Sequence, residues 1–183
     1  MELVTTRLRL DALRESDAAA LFRYRGDPSV ALYQGWNPAT LTETLDFIRA
    51  QHDASIDKPD SWLQRAIRLA SDDRLIGDIG VHIPADRAGS YEFGITIAPS
   101  HQGRGMAREA LHALFDFLFG TRDIHRVHAS IDPRNLASAA LLRSLGMRQE
   151  AHFRESLKLR GEWVDDVIFA LLAREWPSVR TRR

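Results

Sequence analysis

The stretch "APSHQGRGMAREAL", residues 98–111, decides how this chain is read. Gly103 and Gly105 stand two apart with Arg104 between them, and good helix formers follow. The start of a helix carries unpaired N–H groups and the positive end of the macrodipole. Glycines let main chain come close to an anion, so this turn reads as a phosphate cradle at a helix N-terminus. Just upstream, "SYEFGITIA" (90–98) reads as a strand ended by Pro99. Downstream, 103–120 predicts a helix with Ala107, Ala110, Leu111, Leu114, Phe117 and Leu118 in one apolar stripe and Gly120 as its stop. "RVHASID" (126–132) returns as a strand with Val127, Ala129 and Ile131 on one face. Strand, helix and strand in this order make a crossover, which joins parallel neighbours in a sheet.

Two familiar phosphate loops do not fit. A P-loop needs a second glycine followed by Lys and Ser or Thr, which is absent. A dinucleotide fingerprint needs Gly or Ala three residues after its second glycine, where this chain has Arg108.

Outward from that stretch, "TRLRLDAL" (6–13) alternates as a first strand. A helix is expected over 15–27, with Ser16 as its cap and Pro28 soon after its end. Another is expected over 38–55, with Thr42 near its start and Leu41, Leu45, Ile48 and His52 on one face. Residues 62–70 and 74–83 read as a hairpin, 135–147 as a short helix ending at Gly146, and 151–172 as two long strands around Arg160-Gly161-Glu162. The result is an α+β chain with a mixed sheet of about seven strands flanked by helices. One domain is expected over 1–176, followed by a basic tail over 177–183.

Composition narrows the function. The 183 residues carry 25 basic and 25 acidic side chains, so the broad positive field of a nucleic-acid binder is not expected. There is no cysteine, which removes disulfides, thiolate metal sites and cysteine nucleophiles. The seven histidines show no ligand spacing, so no metal is expected. "MELVTTRLRL" lacks the apolar run of a signal peptide, and no stretch is long and apolar enough to cross a bilayer. A cytoplasmic protein without a membrane partner is expected.

Gln102-Gly103-Arg104-Gly105-Met106-Ala107 resembles the Q/R-x-x-G-x-G/A signature of the GNAT N-acetyltransferase superfamily. "TTRLRLDALRESDAAAL", "IDPRNLASAALLRSLGM" and "LKLRGEWVDDVIFALL" resemble, in order, the opening, second conserved block and closing hairpin of its RimJ/RimL-like branch. The resemblance implies the GNAT fold, with a splay between two parallel strands. It implies acetyl-CoA as co-substrate, with its pyrophosphate on residues 102–107 and its pantetheine arm along the strand edge from Ile95 to Ile97. The acceptor it implies is a protein N-terminal amine. A small amine, or another acyl-CoA such as succinyl-CoA, is the alternative, and a homodimer is a family precedent. A non-catalytic acyl-CoA sensor is the competing reading from another class.

Acetyl transfer to an amine needs a proton acceptor, a donor for the developing oxyanion and a proton for the thiolate. Glu92 is the candidate base, on the strand face it shares with Gly94 and Thr96. Asn135 and Ser138 open the helix over 135–147. Asn135 reads as an N-cap, and the resemblance adds a contact with the pantetheine arm. Many relatives protonate the thiolate with a tyrosine on this helix. None stands here; Ser138, one turn into the helix, is the candidate acid, as the resemblance to the branch also implies, with Ser144 second and solvent as the alternative proton source. The resemblance places one acceptor wall near Tyr33 and Trp36. Asp165 and Asp166 read as solvated strand ends that could also attract an amine.

Overall fold

The computed structural model describes residues 1–86 and 89–180. Eight strands, β1 (Leu3–Val4), β2 (Leu8–Asp11), β3 (Ser61–Leu69), β4 (Leu75–Ile83), β5 (Ser90–Ile97), β6 (Arg126–Ile131), β7 (Arg148–Leu159) and β8 (Glu162–Leu172), form one sheet. Their spatial order is β1-β2-β3-β4-β5-β6-β8-β7. The two-residue β1 is the strand beyond the expected seven. The helices are α1 (Ala18–Arg25), α2 (Pro28–Ala31), α3 (Leu41–Ala50), α4 (Met106–Phe115), α5 (Leu136–Ser144) and α6 (Trp176–Arg180). Of the expected tail, 177–180 lie in α6 and 181–183 fall outside the described residues.

Among the described residues all sheet pairings are antiparallel except β5 with β6. That parallel pairing covers only Ser90↔Arg126, Tyr91↔Val127 and Glu92↔His128. Beyond Glu92, β5 stays paired to β4 as far as Ile97, and β6 stays paired to β8 as far as Ile131. Each strand is held by its other neighbour, so a wedge opens between them and the two inner edges lose their partners. The expected splay is thus present, and its vertex is at Glu92.

The sheet is packed on both faces. On one, Leu8, Leu10, Leu63, Ile79, Val81 and Phe93 meet Leu111, Leu114 and Phe115 of α4, all 3% exposed or less. Phe115 contacts Phe93 and Trp176 edge-on, at centroid distances of 5.1 and 5.3 Å. Such pairs add about 0.5–1.5 kcal/mol to the burial itself. On the other, Leu13, Leu21, Tyr24 and Ile48 pack α1 and α3 over Ala66.

Several sequence expectations change. Ser16 does not cap the first helix: the Asp17 carboxylate accepts from the Arg14 N–H at 2.7 Å, and a 3-10 turn over Glu15–Asp17 leads into α1. The helix expected over 38–55 is shorter. Thr40 caps it by accepting from the Glu43 N–H, and its buried residues are Thr44 and Ile48, while Leu41 and His52 are exposed. α4 does not stop at Gly120. It starts at Met106, stays α-helical to Phe115 and widens into a π-helical turn over Asp116–Thr121. The indole N–H of Trp176 donates to Asp116 at 2.8 Å across that turn.

Candidate active site

Two cavities meet in the wedge. One, of about 580 Å³, is bounded by Ile95, Thr96 and Ile97 of β5, by the loop before α4, and by α5. The other, of about 440 Å³, is bounded by Glu92 and Gly94 of β5, Ser130 to Asp132 at the end of β6, Trp62 of β3, and the β7–β8 hairpin. Tyr33, Gln34, Ile95, Asn135, Ser138 and Leu141 border both, so they mark the junction. A larger open trough of about 810 Å³ runs between residues 3–7 and α4. It contains no residue of β5 or α5, and it adjoins the first cavity at Gly105 and Arg108, which border both.

The loop has the geometry an anion needs. Gly103 (φ +70°) and Gly105 (φ +74°) both occupy the left-handed region, where an L-residue is strained. A Cβ on Gly103 would meet nothing within 4 Å, so this side of the turn is open. Gly105 is the N-cap of α4 with no side chain to offer, which leaves the first N–H groups of the helix for an outside acceptor. Gln102 acts on the protein itself: its Nε2 donates to the Ile97 carbonyl at 2.8 Å and ties the loop to β5. Arg104, Met106 and Ala107 complete the turn; Met106 and Ala107 border the 580 Å³ cavity and Arg104 does not. Thr96, 5% exposed, also borders it, and its hydroxyl has no hydrogen-bond partner among the described residues. An open glycine turn and free helix amides along one groove suit a phosphorylated, amide-bearing chain such as coenzyme A.

Sequence reading overlooked the clamp behind this loop. Glu109 accepts from Thr5 Oγ1 at 2.5 Å, from the Arg7 N–H at 2.9 Å and from Arg7 Nε at 2.6 Å. Arg7 also donates to the Arg104 carbonyl at 3.1 Å. These bonds hold the Glu109 carboxyl below the usual range despite its partial burial. The signal was present in "TTRL", but only the fold brings residues 5–7 beside the turn.

Glu92 borders the 440 Å³ cavity at the vertex of the wedge. Burial pushes its carboxyl pKa up, the nearby Asp166 carboxylate pushes the same way, and His82 opposes both. His128, opposite Glu92 on β6, is held below the usual histidine value, first by burial and then by Arg126. Asp165 and Asp166 lie inside β8 rather than at its end. Asp166 is 7% exposed and accepts from Ser130 Oγ at 2.7 Å, which corrects the view of it as a solvated strand end. Asp165 borders the cavity and accepts from the Glu155 N–H at 2.9 Å, with His152 Nε2 2.7 Å away.

On α5, Asn135 Oδ1 accepts from the Ser138 N–H at 3.1 Å, so Asn135 caps this helix. Ser138 borders both cavities, whereas Ser144 borders only the first and donates its hydroxyl to the Leu141 carbonyl at 2.7 Å. Tyr33 lies at the junction, its hydroxyl 3.4 Å from the Arg134 carbonyl. Trp36 lines neither cavity. It stacks on Phe47 with ring centroids 4.2 Å apart and carries the Arg25 guanidinium 5.5 Å from its ring. Trp62, 43% exposed, borders the 440 Å³ cavity instead; its place in a strand pattern concealed this. Among the described residues no group of three or more His, Cys, Asp or Glu could hold a metal ion, and no helix is long and apolar enough to cross a membrane.

Comparison with known proteins agrees with this arrangement. Residues 7–148 match the acetyltransferase (GNAT) domain family. An uncharacterized N-acetyltransferase, p20, of Bacillus licheniformis is 31% identical, covering 95% of this chain and 97% of its own. The crystal structure of a GNAT-family acetyltransferase from Bacillus anthracis superposes with a TM-score of 0.85 at 26% identity, over 96% of this chain and 100% of its own. Two shorter matches have different acceptors in their names. The ribosomal protein uS5-alanine N-acetyltransferase of Escherichia coli is 36% identical over 48% of this chain and 45% of its own. Spermidine N(1)-acetyltransferase of Vibrio cholerae is 32% identical over 42% of this chain and 44% of its own.

Proposed function

The chain belongs to the GNAT acetyltransferase family, and on that premise we propose that it transfers the acetyl group of acetyl-CoA to the α-amine of a protein or peptide N-terminus. The observation that carries the reading is the wedge after Glu92, with a glycine turn at one cavity and a carboxylate-lined second cavity meeting it end to end.

In this reading the amides of residues 103–107 hold the pyrophosphate, and the inner edge of β5 from Ile95 to Ile97, whose Ile97 carbonyl also accepts from Gln102, pairs with the pantetheine arm as an added strand would. Asn135 and Thr96 border the cavity that takes the same arm. Bound acetyl-CoA supplies an activated acetyl carbon, on which the amine nitrogen forms a C–N bond as the C–S bond breaks and thiolate leaves. Glu92 takes the proton lost by the ammonium acceptor, directly or through water, and Ser138 returns one to the sulfur. The balance is one amide, one free thiol and one proton released.

Base strength favours an α-amine. Its pKa is about 7.7–8.0 against about 10.4 for an alkyl amine, so a single carboxylate with a raised pKa accepts its proton at far lower cost. Glu92, Asp132 and Asp165 border the cavity against Lys158, which suits a cationic acceptor. That polarity also suits spermidine, the acceptor in the name of one relative.

The test has two parts. Calorimetry with coenzyme A should give a binding isotherm; no heat overturns the donor assignment. Mass spectrometry after incubation with acetyl-CoA should show one acetyl group on peptides with free N-terminal Ala or Ser. Acetylation of spermidine alone would overturn the acceptor.

A further inference from the structure

The developing negative charge on the thioester carbonyl needs hydrogen-bond donors; the unpartnered edge of β5 beyond Glu92 offers main-chain N–H groups, and a side chain at the cavity junction can add a second donor. Gln34, which sequence reading passed over, is at the junction of the two cavities. Its amide is held in one orientation from behind. The Arg25 guanidinium donates from Nη1 to Gln34 Oε1 at 2.8 Å. Arg25 cannot move freely: it is 7% exposed, bonded through Nε and Nη2 to Asp78, and placed against the Trp36 ring. Asp78 is fully buried and also accepts from Tyr24 Oη at 2.6 Å and from Gln64 Nε2. A guanidinium only donates, so the Gln34 oxygen must face Arg25 and its NH₂ group must face the other way.

We propose that Gln34 Nε2 donates a hydrogen bond to the acyl carbonyl oxygen at the cavity junction, with the Arg25–Asp78 pair as the positioning device behind it. This rests on the acetyl-CoA reading above. The other side chains at the junction are already assigned. Tyr33 has its hydroxyl toward the Arg134 carbonyl, Asn135 caps α5 beside the cofactor arm, and Ser138 serves the sulfur. Residues 29–35 pass from the first cavity to the second, since Ser29 and Val30 border only the former and Gly35 only the latter. Gln34 is therefore where the reacting carbonyl would cross. A preorganised amide of this kind stabilises charge that appears only in the transition state, and losing such a donor costs about 10²–10³ in kcat.

Two variants separate donation from structure. Gln34→Glu keeps an oxygen for Arg25 and has no N–H to give; Gln34→Leu removes both. The probe is acetyl-CoA labelled with carbon-13 at the acetyl carbonyl, followed by infrared difference spectroscopy on the protein complex, which needs no acceptor. The expected result is a lowered carbonyl stretch in the wild-type complex and a shift back toward the free-solution value in both variants, with acetyl-CoA affinity within about twofold of wild type. With a peptide acceptor, kcat falls by the factor given above and KM for acetyl-CoA holds. Binding with one carbonyl band common to all three proteins overturns the Gln34 assignment alone, as does a loss confined to acetyl-CoA affinity. Failure of the wild-type protein to bind acetyl-CoA overturns the cofactor reading beneath it.

Discussion

Glu92 shows how one residue carries two opposed demands. In the proposed reaction it would act as a base only when ionised, yet burial and Asp166 favour its protonated form. Its folded pKa stands above the usual 4.5, so the folded state binds this proton more tightly than the unfolded chain does. Stability from this group is therefore fully present below that value and falls as pH rises through the folded pKa. Glu92→Gln should lower kcat by roughly 10²–10⁴ and remove the acid limb of the rate profile. At pH 7 the same variant should melt at or above the wild-type temperature, with the gap closing at pH values below the unfolded pKa. A lower Tm at pH 7 with an unchanged rate profile would refute this role. Glu92 was legible as a candidate because strand periodicity gave its face. Gln34, Trp62 and Thr96 were not legible, because nothing local marks a glutamine, a tryptophan or a threonine that comes to border a cleft.

At the scale of elements, the cofactor binding we propose depends on the turn into α4. Gly105→Trp would put a side chain on a residue with φ +74°, at about 1–2 kcal/mol of backbone strain, and would fill the approach to the helix amides. The expected result is loss of the calorimetric signal with coenzyme A while cooperative unfolding persists at a somewhat lower Tm. Undiminished affinity would remove residues 102–107 from the site. The helices were read with uneven success for a physical reason. α4 announces itself through a broad apolar stripe that ends deep in the core, with Leu111, Leu114 and Phe115 fully buried. α3 packs chiefly against α1 and buries a threonine, Thr44, at 0% exposure, so hydropathy found Leu45 and Ile48 on its inner face but missed Thr44 and wrongly added Leu41 and His52.

Across the whole molecule, two buried ion networks fix α1 and the preceding turn to the sheet on the face away from α4. Arg68, with a side chain 2% exposed, donates to Asp11 at 2.7 Å, to Asp17 at 2.7 and 2.6 Å and to the Ala12 carbonyl at 3.1 Å. The Arg25–Asp78 pair is the second, and it extends to the junction of the cavities. Removing one member of such a network leaves a charge that burial penalises. Asp17→Ala should cost about 3–5 kcal/mol in urea unfolding. Arg74→Ala, which breaks an exposed pair with Asp72, should change stability by less than about 1 kcal/mol. Equal effects would mean that the buried network contributes no more than a surface contact.

The sequence alone determined the class of fold, the order of its main strands and helices, and the glycine turn into α4, because these follow from hydrophobic period, glycine conformation and helix-end chemistry within a few residues of chain. Tertiary structure decided what sequence separation hides: that β5 leaves β6 after Glu92, that Arg7 and Glu109 brace the loop from about a hundred residues apart, and that Trp36 turns inward while Trp62 and Gln34 face the cavities. Those outcomes depend on which strand keeps which neighbour and on where buried charges find partners, and both are settled only when the whole sheet closes.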